Sequence, residues 1–110
     1  MCFHSKQSKK AQQVENRFNA KIENRALFKP TNHYNGFTYP LTPIITNEDI
    51  SVIQMVNWGL LPNWADNNCN KSFTLNARIE TLESKPSFKN ILQNRCIIIV
   101  NGFYEWQHIG

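Results

Sequence analysis

The longest uninterrupted apolar run in the chain, Cys96-Ile97-Ile98-Ile99-Val100, has the length of a single strand and stops at Asn101-Gly102. Crossing a bilayer takes roughly 18 apolar residues in succession, so no membrane partner is expected. A chain whose apolar residues come in pieces this short must build its core by bringing several short elements together. Apolar and aromatic residues are 41% of the 110 and charged residues 18%, a balance that forms a core rather than a disordered coil. That length holds one domain, residues 1–110. The opening Met1-Cys2-Phe3-His4-Ser5-Lys6 leads into polar residues rather than an apolar segment, so no secretory signal is read and a cytoplasmic location is expected.

Residues 8–28 are predicted to be a helix, because Ala11, Val14, Phe18 and Ile22 recur at helical spacing behind Ser8 as N-cap. Pro30 disfavours helical geometry at Lys29, so residues 29–43 are expected to be an extended connector anchored by aromatics. Ile44-Ile45-Thr46 and residues 50–58, separated by Asn47-Glu48-Asp49, predict an antiparallel hairpin. Residues 59–68 form a loop carrying Trp64, and a further ordered piece starts near Phe73. Residues 76–81 read as a strand with Ala77 and Ile79 turned to the core, and residues 87–92 as a short helix after Pro86. Residues 95–100 form a strand, with Asn101-Gly102 as a tight turn into a return strand at Phe103-Tyr104-Glu105-Trp106.

Cysteines at 2, 69 and 96 are odd in number and lack metal-ligand spacing, so reduced thiols are expected, with no structural zinc and no cofactor. His4, His33 and His108 show no metal spacing either and read as ordinary histidines. Charge is uneven: the first 30 residues hold seven of the twelve Lys and Arg against two acids, so the head carries +5 and the remainder −1. Such a lean permits an anionic partner, nucleic acid included, without requiring one.

Cys2 carries the most distinctive chemistry. Removal of Met1 before a small residue leaves a free α-amine beside a thiol, both reactive near neutral pH. An aldehyde meeting this 1,2-aminothiol forms a Schiff base and then a five-membered thiazolidine; taken alone, a cysteine at position 2 reads first as a chance occupant of a frayed terminus. In Asn76-Ala77-Arg78-Ile79-Glu80-Thr81, an amide can donate to a developing anion and Arg78 can fork onto phosphate, though an ordinary surface strand in which Glu80 neutralises Arg78 accounts for the same residues. Glu105, flanked by Tyr104 and Trp106, would have reduced access to water, which suits proton transfer; a solvated strand carboxylate is the alternative. Trp58 and Trp64 offer stacking surfaces for unpaired bases, or core plugs.

In order, Met1-Cys2, the 58–64 loop, the 76–81 segment, Pro86-Ser87-Phe88, and Arg95-Cys96 leading to Gly102-Phe103-Tyr104-Glu105-Trp106 resemble the SOS response-associated peptidase (SRAP) family, which shields abasic sites in single-stranded DNA. The resemblance spans the whole chain. It implies an α+β fold: a mixed, largely antiparallel β-sheet with a barrel-like core and flanking helices, of which this chain supplies the N-terminal portion. It further implies that processed Cys2 lies at the base of a positively charged, nucleoid-associated DNA channel and captures the ring-opened aldehyde of an abasic site as a thiazolidine. Asn76 then resembles the residue that orients Cys2 and the sugar, Glu105 the proton relay, and Arg78 a phosphate contact. Trp106, Trp58 and Trp64 resemble channel walls. Family members commonly begin Cys-Gly-Arg and carry a further active-site histidine in a later half; here the start is Cys2-Phe3-His4, with His4 or a nearby lysine in place of the arginine, and His108 does not match that later histidine. Two other readings accompany this one: a Cys2 peptidase that removes its own Met1 with Asn76 as oxyanion donor, and a non-catalytic single-stranded nucleic-acid-binding module.

Overall fold

The computed structural model describes residues 2–62, 64, 65 and 71–109. Met1 and Cys69, together with much of the 59–68 loop, lie outside the described residues. Seven strands and one α-helix are arranged as β1 (His4–Gln7), α1 (Ala11–Phe18), β2 (Lys21–Ile22), β3 (Thr31–Asn35), β4 (Leu41–Thr46), β5 (Val52–Asn57), β6 (Cys96–Ile98) and β7 (Gly102–Phe103) among the described residues. They form a three-stranded sheet in the order β3-β1-β7 and a four-stranded sheet in the order β2-β5-β4-β6. The α+β class and the dominance of antiparallel pairing agree with the sequence reading; β2 with β5 is the parallel exception. Among the described residues the sheets do not close into a barrel: β3 and β7 bound one, β2 and β6 the other.

The expected hairpin is present, with Leu41 opposite Asn57 and Ile44 opposite Gln54. It is the middle of the core: Ile45 and Ile53 pack with Val14, Ala20, Ile22, Phe28 and Ile99, all buried. Burying apolar surface of this kind is the main stabilising term, at about 25 cal/mol per Å2 removed from water. Pro43, which has no N–H to give a ladder, is fully buried inside β4; its carbonyl accepts from Ile99 N at 3.0 Å, so the strand holds its partner on that side.

The predicted helix over 8–28 is much shorter. It starts after Lys10, whose N–H donates to Gln13 Oε1 at 3.0 Å. It stops at Asn19, which takes the left-handed conformation with φ 50°, while Ala20 N donates back to Glu15 O at 3.2 Å. Asparagine tolerates that conformation and closes helices this way. Ile22, in phase with the helical stripe, is therefore a strand residue beside Ile53. The change of direction is pinned by Glu15, whose buried carboxylate accepts from Ile22 N at 2.9 Å and from Arg25 Nη2 at 2.5 Å.

Four other expectations are corrected. The connector over 29–43 contains β3 and the start of β4. Residues 76–81 form no strand, 76–78 being irregular and 79–81 a turn, and Ile79 is 85% exposed rather than turned to the core. Residues 87–92 make only successive turns, such as Ile91 N to Phe88 O at 3.0 Å, and no helix. Asn101-Gly102 is not a hairpin turn: β6 pairs with β4 and β7 with β1, so the chain passes from one sheet to the other at that dipeptide. Asn101 fixes the passage by exchanging hydrogen bonds with Ser8 at 2.9 and 3.1 Å and donating its N–H to Lys6 O at 3.0 Å. A Cβ on Gly102 would lie 2.9 Å from the Lys6 side chain, so the glycine permits the close approach of β7 to β1.

Candidate functional site

Strand β1 is central in its sheet, and its first residues carry the site. His4 pairs with Asn35 of β3, and Ser5 with Phe103 of β7. The His4 carbonyl accepts from Tyr104 N at 2.9 Å and from the half-buried Cys2 Sγ at 3.3 Å. The thiol therefore shares one acceptor with the backbone of the residue that precedes Glu105. Beside it opens a cleft of about 840 Å3 walled by Phe3, His4, Asn32, His33, Phe37, Tyr104, Glu105 and Trp106. Phe3 and Phe37 stack with ring centres 5.0 Å apart, while Trp106 stands 93% exposed.

Gly36 ties this end to the Trp58 loop. Its N–H donates to Phe3 O at 2.8 Å, and a Cβ there would sit 3.0 Å from that oxygen and 3.3 Å from the Trp58 ring. Only a residue without a side chain lets strand and indole approach so closely. The Trp58 indole N–H in turn donates to Leu75 O at 2.9 Å, so one tryptophan joins the N-terminal strand to the segment bearing Asn76. Trp58 is thus a half-buried brace rather than an open stacking platform. Gly59 follows with φ +111°, a conformation that favours glycine, and turns the loop so that Thr74 Oγ1 donates to Leu60 O at 2.6 Å. Asn76 Nδ2 is buried and has no hydrogen-bond partner among the described residues. Such orphaned donors are rare in folded proteins, so this amide is a preformed donor that lacks an acceptor.

The remaining predicted residues are distributed as follows. His4 and Trp106 lie in the cleft wall with Glu105. Glu105, Tyr104 and Trp106 are all exposed, so the water-poor surroundings expected for the carboxylate are not found. Arg78 pairs with Glu80 at 3.6 Å, both largely exposed, the neutralising pair that the sequence also allowed; pairs of this kind contribute little. Trp64 is 63% exposed and lines neither the cleft nor the Gly36 junction. No group of three or more potential metal ligands occurs among the described residues.

Sequence reasoning missed His33. Its Nε2 lies 2.9 Å from His4 Nδ1, and its ring meets Tyr104 edge-on at 5.5 Å between centres. Tyr104 Oη donates to Asn32 O at 2.7 Å and clamps β3 to the chain beyond β7. The available signal was the polar-to-aromatic step from His33 to Tyr34 after Pro30, where the chain leaves helical geometry and a short strand can place the two side chains on opposite faces.

Against known proteins, the family model for SOS response associated peptidase (SRAP) matches residues 1–110. The abasic site processing protein YoqW of Bacillus subtilis is 40% identical over 67 residues, 60% of this chain and 30% of its own length. The abasic site processing protein HMCES of Gallus gallus is 41% identical over 64 residues, 54% of this chain and 19% of its own. A crystal structure of a protein from Bacteroides thetaiotaomicron superimposes with a TM-score of 0.85 at 36% identity, over 99% of this chain and 50% of that one. The matched stretch is thus less than a third of the curated relatives and half of the solved structure.

Proposed function

The chain belongs to the SRAP family, and on that premise we propose that it processes abasic sites in single-stranded DNA by covalent capture through Cys2. One observation carries the reading: the Cys2 thiol rests on the carbonyl that also holds Tyr104, one residue before Glu105, beside a cleft walled by aromatic rings. Exposed rings such as Trp106 suit the faces of unpaired bases, which stack without regard to sequence. Relatives named as abasic site processing proteins supply the substrate class.

The chemistry balances without redox change. With Met1 removed, the neutral α-amine of Cys2 adds to the open-chain aldehyde to give a carbinolamine. Loss of water yields an imine, and the thiolate adds to the imine carbon to close the thiazolidine, the nitrogen taking a proton. Glu105 carries protons through these steps. The unpartnered amide of Asn76 donates to an oxygen of the sugar or to the N-terminal backbone, gaining the acceptor it lacks. His4 and the basic head meet phosphates.

The test is incubation with single-stranded DNA bearing one abasic site, followed by denaturation. Wild-type protein gives a shifted band, and Cys2→Ala gives none while non-covalent binding persists; a band that survives the substitution contradicts the mechanism. Non-covalent affinity falls as salt rises, because phosphate contacts release counterions. Salt-independent binding contradicts the role given to the basic head. The family's description as a peptidase supports a second reading, self-removal of Met1, tested by the intact mass of Met1-bearing protein before and after incubation alone: loss of Met1 with no added enzyme supports it, and retention of Met1 contradicts it.

A further inference from the structure

Two histidines that are 29 positions apart meet nitrogen to nitrogen at 2.9 Å in the wall of the cleft. A neutral imidazole has one N–H and one lone pair. The contact uses one N–H from one ring and one lone pair from the other. The outward nitrogens, His4 Nε2 and His33 Nδ1, are therefore left as one acceptor and one donor. A proton arriving at the outward acceptor makes the central proton cross between the rings, and a proton leaves from the other outward nitrogen. The pair can thus pass a proton from one side to the other and finish with its tautomers exchanged and its charge unchanged.

The rings are held for this. Tyr104 packs edge-on to the His33 ring, donates its hydroxyl to Asn32 O, and gives its backbone N–H to His4 O, so one residue packs on one imidazole and ties together the main chains of the strands that carry both. The other ionisable groups of the cleft wall are Tyr104 and Glu105, and the Cys2 thiol rests on the carbonyl of His4 itself. Lys6, farther along β1, lies against Gly102.

We propose that His4 and His33 act as one proton-transfer unit of this cleft. For the reaction it serves, the proposal rests on abasic-site capture at Cys2. In the step from carbinolamine to imine, the C–O bond breaks as the nitrogen lone pair forms C=N, the departing oxygen takes the proton of the outward N–H and leaves as water, and the iminium so formed gives up its own N–H proton to solvent. The other outward nitrogen takes up a proton from solvent or from Glu105.

The test uses the whole chain with His33→Gln, His4→Gln and the double substitution. His33 is exposed, so its replacement leaves the fold in place. Nitrogen-15 spectra of the imidazoles read the tautomers: in the wild type His4 Nδ1 and His33 Nε2 show one protonated and one bare nitrogen in mutual contact, and His33→Gln changes the His4 pattern. The covalent step with abasic single-stranded DNA slows roughly tenfold near neutral pH in His33→Gln, its pH–rate profile changes shape, and binding to undamaged single strands is unchanged. The double substitution is no slower than the slower single, because residues acting as a unit are not additive. Unchanged rate and profile, multiplicative losses, or equal losses in binding and rate in His33→Gln overturn the proposal. If the wild type forms no crosslink, the reading of Cys2 fails and so does the pair's service to it; an unaltered His4 pattern in His33→Gln overturns the pair itself.

Discussion

Two residues show how single side chains set the structure and the chemistry. Glu15 turns the chain from helix to strand, and its carboxyl is held below its ordinary value first by the N–H of Ile22 and then by Arg25. A carboxylate with a lowered folded-state value binds fewer protons than its unfolded counterpart, so its stabilisation is full above the ordinary carboxylate range and is lost as pH falls through the folded value. Glu15→Gln is expected to lower the thermal midpoint at neutral pH and to flatten its decline toward acid. Part of that decline persists through Asp49, lowered first by the Ser51 hydroxyl and then by the Ser51 N–H; a decline of unchanged steepness contradicts the role given to Glu15. Asn76 is the opposite case, its amide nitrogen buried with no partner among the described residues. Replacement by an apolar residue of similar shape removes an uncompensated desolvation cost. Asn76→Leu is expected to leave the thermal midpoint unchanged or raised while covalent capture falls tenfold or more, and a loss of stability with normal capture contradicts the assignment.

At the scale of elements, the junction at Gly36 decides whether the site assembles. A methyl there would press on a backbone oxygen at 3.0 Å and on a braced indole at 3.3 Å, neither of which is the free end of a flexible chain. Gly36→Ala should cost about 1–3 kcal/mol, read by denaturant unfolding, and should reduce capture. Gly102→Ala meets only the Lys6 side chain, which can swing aside, and should cost less. Equal costs for the two would argue against the brace. The same elements show what the sequence made legible. Periodicity found the β4–β5 hairpin because both strands are β-branched and adjacent. It overran the helix because Ile22 continues the apolar stripe, and the left-handed turn at Asn19 is invisible to an apolar pattern. It misassigned Asn101-Gly102 because the two strands flanking it belong to different sheets, and pairing with a distant strand β1 outweighs a local turn preference.

For the molecule as a whole, candidate residues were legible by their chemistry and their spatial neighbourhood was not. Cys2, Asn76 and Glu105 stand out by chemical type and by order along the chain, but the His4–His33 contact joins residues far apart in sequence, and only the β1–β3 pairing brings them together. Arg78 illustrates the converse, a residue noticed by type whose nearest charge is Glu80. Two open sheets, joined at Asn101 and braced through Trp58, place the N-terminal strand between β3 and β7, so that the Cys2 thiol and the segment carrying Glu105 meet at His4 in the cleft wall.

The most direct test of covalent capture is the mass and attachment point of the product formed with single-stranded DNA containing one abasic site. Formation of a thiazolidine releases one water, so the adduct should weigh the Met1-free protein plus the DNA less one water. Proteolysis should leave the nucleotide on the peptide beginning at Cys2. An adduct on any other residue, an adduct retaining Met1, or no adduct at all would contradict the account.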